Sequence, residues 1–212
     1  MQNAWELPTP LVDPVADEAI QGVLRTVGSP GSFFTAAERL EFAKHARFAR
    51  GLTETPSSLP PVVASAVARI AVEAMTSRSE HVAAWEQDGR DVLAYIELVA
   101  VVSVICSIDS YRVGVGAPLD VLPDPMPGDP VPVIDDRAKK ANSWVPTVGV
   151  ALAPTALSAL PNESAMKKPL GIAFYLDDKV VHQYDVEPGR ELSRPQMELV
   201  ASRTSWLNEC FF

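Results

Sequence analysis

The sequence predicts an all-α protein on three observations. Apolar residues recur every three or four positions through most of the chain. Two of these runs are opened by Ser/Thr-x-x-Glu/Gln signatures, which cap helices. Prolines and glycines gather between the runs or in their first turns, where they cost no helical hydrogen bond. At 212 residues, with 47% hydrophobic and 21% charged residues, the chain is able to bury a real core in one large or two small domains. Its net charge of -9 argues against nucleic acid or an anionic membrane as a partner. Two cysteines 104 residues apart supply no disulfide framework, and the start of the chain shows no basic segment followed by an apolar run. A cytoplasmic, thiol-reducing setting is therefore expected.

Taken in order, residues 13 to 27 form an amphipathic helix, with Val15, Ala19, Ile20, Val23, Leu24 and Val27 on one face. Gly28-Ser29-Pro30-Gly31 ends it. Thr35 to Glu38 is a capping box, and Leu40, Ala43, Ala46 and Phe48 continue one face as far as a stop at Gly51. His45 and Arg47 on this helix are candidates for a proton relay, but a face of mixed charge reads first as solvated. Pro60 and Pro61 open a third helix, whose stripe runs from Leu59 through Val63, Val67 and Ile70 to Met75, the last read as core filler.

A polar turn with Trp85 and Gly89 precedes the most apolar segment, Val92 to Ile108. Its β-branched run from Val99 to Ile105 suits a strand, yet its length and lack of turn signals favour a buried central helix. The segment is shorter than the ~20 residues that span a bilayer. Glu97 within it requires either a cation, Arg39 or Arg47, or a bound proton. Cys106 reads as a small core residue. Gly114-Val115-Gly116 follows no βαβ pattern and is not a phosphate loop.

From Ala117 to Asp135 six of the 19 prolines enforce an extended connector. Beyond Trp144, residues 154 to 160 and 162 to 176 form a broken helical pair. His182 follows without a second histidine or cysteine at ligand spacing, so no metal site is expected. Ser193 to Gln196 is the second capping box, and it starts a helix that runs toward Cys210. Each side of the connector thus has a capped helix rich in arginine and alanine, the mark of an old duplication whose overall spacings do not superimpose.

The terminal run from Glu198 to Phe212, ELVASRTSWLNECFF, is similar to the segment entering the C-x-x-C site of the alkylhydroperoxidase D-like and carboxymuconolactone decarboxylase-like family. The runs ERLEFAKHARFARGL from Glu38, YIELVAVV from Tyr95, IDSYRVGVGAPL from Ile108 and LPDPMPGDP from Leu122 resemble long members of the same family. The resemblance implies a helical bundle in two halves: residues 1-116, a proline-rich connector 117-150, and an incomplete half 151-212. It implies that the first half has lost its cysteine pair, since residues 51 to 58 hold none, and Arg112 stands where the family carries histidine.

The same resemblance implies a site and a reaction. Cys210 is one member of a redox pair, the resolving one, and Glu198, twelve residues before it, assists proton transfer. A thiolate reduces a hydroperoxide and becomes a sulfenic acid, which a second thiol returns as a disulfide. A hydroperoxide substrate, a dithiol reductant and a homo-oligomer are the implied partners, with no cofactor and no metal. On one unbroken helix Glu198 and Cys210 lie ~18 Å apart, so coupling requires a break near Asn208 or a neighbouring subunit. The second member of the pair falls at the position after Phe212, and one explanation is a UGA codon for selenocysteine; the other is a truncated gene. The alternative functions are a noncatalytic helical oligomerisation or binding protein and a carboxymuconolactone decarboxylase-type enzyme.

Overall fold

The computed structural model describes residues 12-177, 179-183, 185-187, 189 and 191-208. Helices α1 Pro14–Val27, α2 Ala36–Ala49, α3 Pro61–Glu73, α4 Ser79–Gln87 and α5 Val92–Gly114 precede the connector. Helices α6 Pro161–Met166, α7 Lys168–Phe174 and α8 Arg194–Leu207 follow it. Among the described residues there is no strand; Lys139 and Thr147 form an isolated bridge.

The caps explain where the helices start. Asp13 accepts from the Val15 amide and Asp91 from the Leu93 amide, each satisfying a first-turn donor. Thr35 with Glu38, and Ser193 with Gln196, close the two capping boxes expected from the sequence. The apolar faces are less regular than their periodicity. Val15 and Phe48 are exposed, whereas Phe42 is buried edge-on against Phe34. Met75 is also exposed, because α3 ends at Glu73 and a 3-10 turn carries Met75 away from the core; it is not the core filler that its spacing suggested.

The expected polar turn before α5 is mostly helix. Trp85 sits fully buried on α4, where its Nε1 donates to the Asp91 carbonyl at 2.8 Å and its ring meets Tyr95 edge-on. The Arg90 guanidinium lies over the same ring, 5.2 Å from its centroid. A sequence reading sees only nine residues rich in charge here; the indole is what makes the segment a packed element.

Helix α5 is the axis of the fold and packs against α2, α3, α4 and α6. It runs past Ile108 to Gly114, and at 23 residues it is long and apolar enough to cross a membrane by length and composition alone. In this fold most of it is buried, with Ser103, Ser107 and Ser110 along an exposed strip. One cluster of buried side chains extends from Ile20 through α5 to Leu160, Met166 and Leu170, so the helices after the connector close the core of those before it.

The connector is extended and lies against the turn between α1 and α2. Met126 donates to the Gly28 carbonyl at 2.8 Å and Val131 to the Gly31 carbonyl at 3.0 Å. Pro123 packs so closely on Gly28 that a Cβ there would meet its Cγ at 2.6 Å. The glycines that end α1 thus also seat the prolines of the connector.

The Trp85→Ala variant is expected to lose ~3–5 kcal/mol of stability through its cavity and the lost indole hydrogen bond. A lowered urea midpoint with an unchanged slope checks this; an unshifted midpoint refutes the packing role given to α4.

Candidate functional site

Glu198 lies in the first turns of α8, and its carboxylate is held from two sides. Tyr175 donates its hydroxyl to Oε1 at 2.6 Å, and Arg194, one turn back, donates Nε to the same oxygen at 2.6 Å. Arg194 is itself anchored, with Nη2 donating to the Val181 carbonyl at 2.6 Å. The tyrosine hydroxyl, aided by the arginine, lowers the Glu198 pKa below its ordinary value. Glu198 is therefore an anion at neutral pH, able to accept a proton but a weaker base than an ordinary carboxylate. Tyr175 also lines a largely apolar cleft of about 1020 Å³ between the start of α1, α7 and α8, with Val12, Phe174, Met197 and Val200.

Helix α8 ends at Leu207 with Asn208 as its cap. The other member of the expected site, Cys210, lies outside the described residues. Ten helical residues still place Asn208 ~15 Å beyond Glu198.

A repeat missed by the overall comparison of the two halves is local. Glu97-Leu98-Val99-Ala100 on α5 recurs as Glu198-Leu199-Val200-Ala201 on α8. The twelve-residue step from Glu198 to Cys210 then carries Glu97 to Asp109, and Arg112 falls three residues further. The two helices meet opposite environments. Leu98 and Ile105 are buried on α5, whereas Leu199, Val200, Trp206 and Leu207 are exposed on α8.

In the first half, buried ion pairs occupy these positions. Arg47 on α2 grips Asp109 with two parallel bonds, Nε to Oδ2 at 3.0 Å and Nη2 to Oδ1 at 2.8 Å. Arg47 is therefore buried, contrary to the solvated face expected of it, because α5 lies across that side of α2. Its neighbour His45 has Nδ1 at 2.7 Å from the Ser57 hydroxyl. Arg112 forks onto Asp120 of the connector at 2.7 and 2.9 Å and also reaches Asp17 on α1.

Glu97 has the partner expected of it. Its Oε1 lies 3.3 Å from Nη1 of Arg39, and its Oε2 accepts from the Phe33 amide at 2.6 Å. A third member with no local signature is Glu163 on α6, whose Oε2 lies 3.3 Å from Nη2 of the same arginine. Burial first, and the Glu163 charge second, push the Glu97 pKa up to about 7. Gly31 covers the group so tightly that a Cβ there would overlap Glu97 Oε1 and Arg39 Nη1.

Cys106 is half-buried and packs on the core, and burial pushes its thiol pKa up, the setting of an inert thiol. Among the described residues no group of three histidine, cysteine or acidic side chains is placed to hold a metal.

Asp109→Asn, which strands the Arg47 charge in the core, is expected to cost ~3–5 kcal/mol, whereas replacing both partners by apolar residues recovers most of that loss. Gly31→Ala is expected to cost ~1–3 kcal/mol by forcing Glu97 and Arg39 apart. Chemical denaturation of the single and double variants checks both expectations.

No known protein family, curated protein or solved structure matches this chain.

Proposed function

We propose that the chain is a thiol- or selenol-dependent hydroperoxide reductase of the alkylhydroperoxidase D-like kind, with Cys210 in the redox pair and Glu198 as its proton acceptor. The observation that carries this reading is the run from Glu198 to Cys210, in which an anionic glutamate precedes a cysteine by twelve residues. The largely apolar cleft beside Tyr175 offers room for an apolar hydroperoxide.

In the reaction, the thiolate or selenolate of the partner position attacks the terminal peroxide oxygen. The S–O or Se–O bond forms, the O–O bond breaks, and the departing alkoxide takes a proton and leaves as an alcohol. The Cys210 thiol then condenses with the oxidised centre, forming a disulfide or selenylsulfide and releasing water. A dithiol reductant restores the pair. Glu198, held ionised by Tyr175 and Arg194, takes up the proton lost when the attacking group ionises. The ~15 Å of α8 between Glu198 and Asn208 makes a second copy of the chain the natural source of the carboxylate, which fits a homo-oligomer. A reducing compartment such as the cytoplasm suits the dithiol cycle.

A second reading, a noncatalytic oligomerisation or binding protein, is favoured by one feature: α8 exposes Leu199, Val200, Trp206 and Leu207 together. Peroxide consumption with a dithiol reductant separates the two, measured on the chain as given and on one carrying a cysteine at the position after Phe212. Turnover is expected in the extended form, lost in its Cys210→Ser variant and lowered ~100-fold in its Glu198→Gln variant. Turnover in neither form sinks the reductase reading and leaves the binding one.

A further inference from the structure

Arg39, Glu97 and Glu163 come from α2, α5 and α6, and their side chains are at most 3% exposed. Two carboxylates thus share one guanidinium in a place almost closed to water. A net negative charge there is costly, and the smallest group that removes it is a proton. We propose that Glu97 carries a proton in the closed group it forms with Arg39 and Glu163, and that this proton fastens α6 and α7 to the helices before the connector.

The contacts support a fastening role rather than a passive one. Glu163 is the charged residue that α6 sends into the group, and it is tied there by Arg39 Nη2 and, through Oε1, by the Ser32 hydroxyl at 3.3 Å. Met166, one turn along, places its sulfur 3.3 Å from the same guanidinium nitrogen. Arg39 Nε and Glu97 Oε1 are buried without a hydrogen bond, so the group is not saturated by its neighbours. The charges that act on Glu97 are Glu163 and Arg39, and the Phe33 and Phe34 amides add their dipoles. A cleft bounded by Arg39, Glu163, Asn162, Ser29 and Asp129 adjoins the group and gives the proton a route to solvent.

The direction of the pH effect follows from the raised carboxyl. Folding favours neutral Glu97, so the attachment is complete below its ordinary value of 4.5 and weakens as pH rises toward about 7. Above that it is constant, because closed and open forms are then equally ionised.

Hydrogen exchange of the Ser164, Gly171 and Tyr175 amides, which donate within or next to α6 and α7, reads the opening directly. After correction for intrinsic rates, the opening constant is expected to rise at least ~tenfold between ~pH 5 and ~pH 7.5. In Glu97→Gln, which keeps an acceptor for the Phe33 amide and no charge, it stays flat. In Glu163→Gln the rise moves to lower pH. A flat response in the unaltered chain, or an equal rise in Glu97→Gln, overturns the proposal. A carboxyl ¹³C titration of the unaltered chain provides a reading free of folding defects. One glutamate titrating near neutrality is expected, and none above ~pH 5.5 overturns the proton assigned to Glu97.

Discussion

The constraint on which the fold depends is that its central helix, apolar over most of its surface, carries charges that burial does not tolerate alone. Glu97, Asp109 and Arg112 all lie on α5, and all are buried. Each is answered from another element: Glu97 by Arg39 and Asp109 by Arg47, both on α2, and Arg112 by Asp17 on α1 and Asp120 in the connector. Interdigitated apolar side chains already oppose sliding of one helix past another, and two ion pairs add the cost of a stranded charge to any shift of register. The pairs advance in the same direction along α2 and α5, by ~12 Å on one and ~18 Å on the other, and so fix their relative direction and register. Such pairs contribute little net stability, and their effect is on which arrangement is allowed.

The connector and the helices beyond it obey the same rule. Arg47 donates to the Asp120 carbonyl while Arg112 holds the Asp120 carboxylate, so both arginines also grip the start of the connector. Glu163 shares Arg39 with Glu97, which ties α6 to the same helix pair. The buried ion pairs of α5 are thus cross-links between the elements before the connector, the connector itself and α6. The half that ends in Cys210 has the opposite character: its glutamate is near the surface, its helix is apolar outward, and charges do not enclose it.

That contrast bears on the two glutamates that open the repeated Glu-Leu-Val-Ala run. A protein sets the proton affinity of one residue type by what it places around it. Glu97, buried and facing a second carboxylate, is pushed toward the neutral form; Glu198, with a phenol and a guanidinium on one oxygen, is held as an anion. The same residue type is thus driven toward opposite protonation states by its two settings.

Much of the fold was legible in the sequence because its signals are local. Caps at Thr35 and Ser193, proline at the start of α3, and glycines after α1 all act within a few residues and were read where they stand, whereas the Asp91 cap of α5 was not. The length of the apolar run favoured a helix for α5 over a strand, and the need of Glu97 for a cation narrowed its partner to two arginines. Helix α4 escaped because its one decisive residue, Trp85, makes a segment rich in charge into a core element only by packing. Met75 and Phe48 were misplaced because a helical period gives a face and not what covers it. Glu163 was silent for the same reason: 66 residues after Glu97, it becomes its neighbour only when the connector brings α6 back to α5. The sequence by itself determined where helices begin, end and turn apolar, since those are energies of adjacent residues. The tertiary structure alone decided which charges share a cavity and which proton affinities follow, since those are energies of residues that the chain has to bring together.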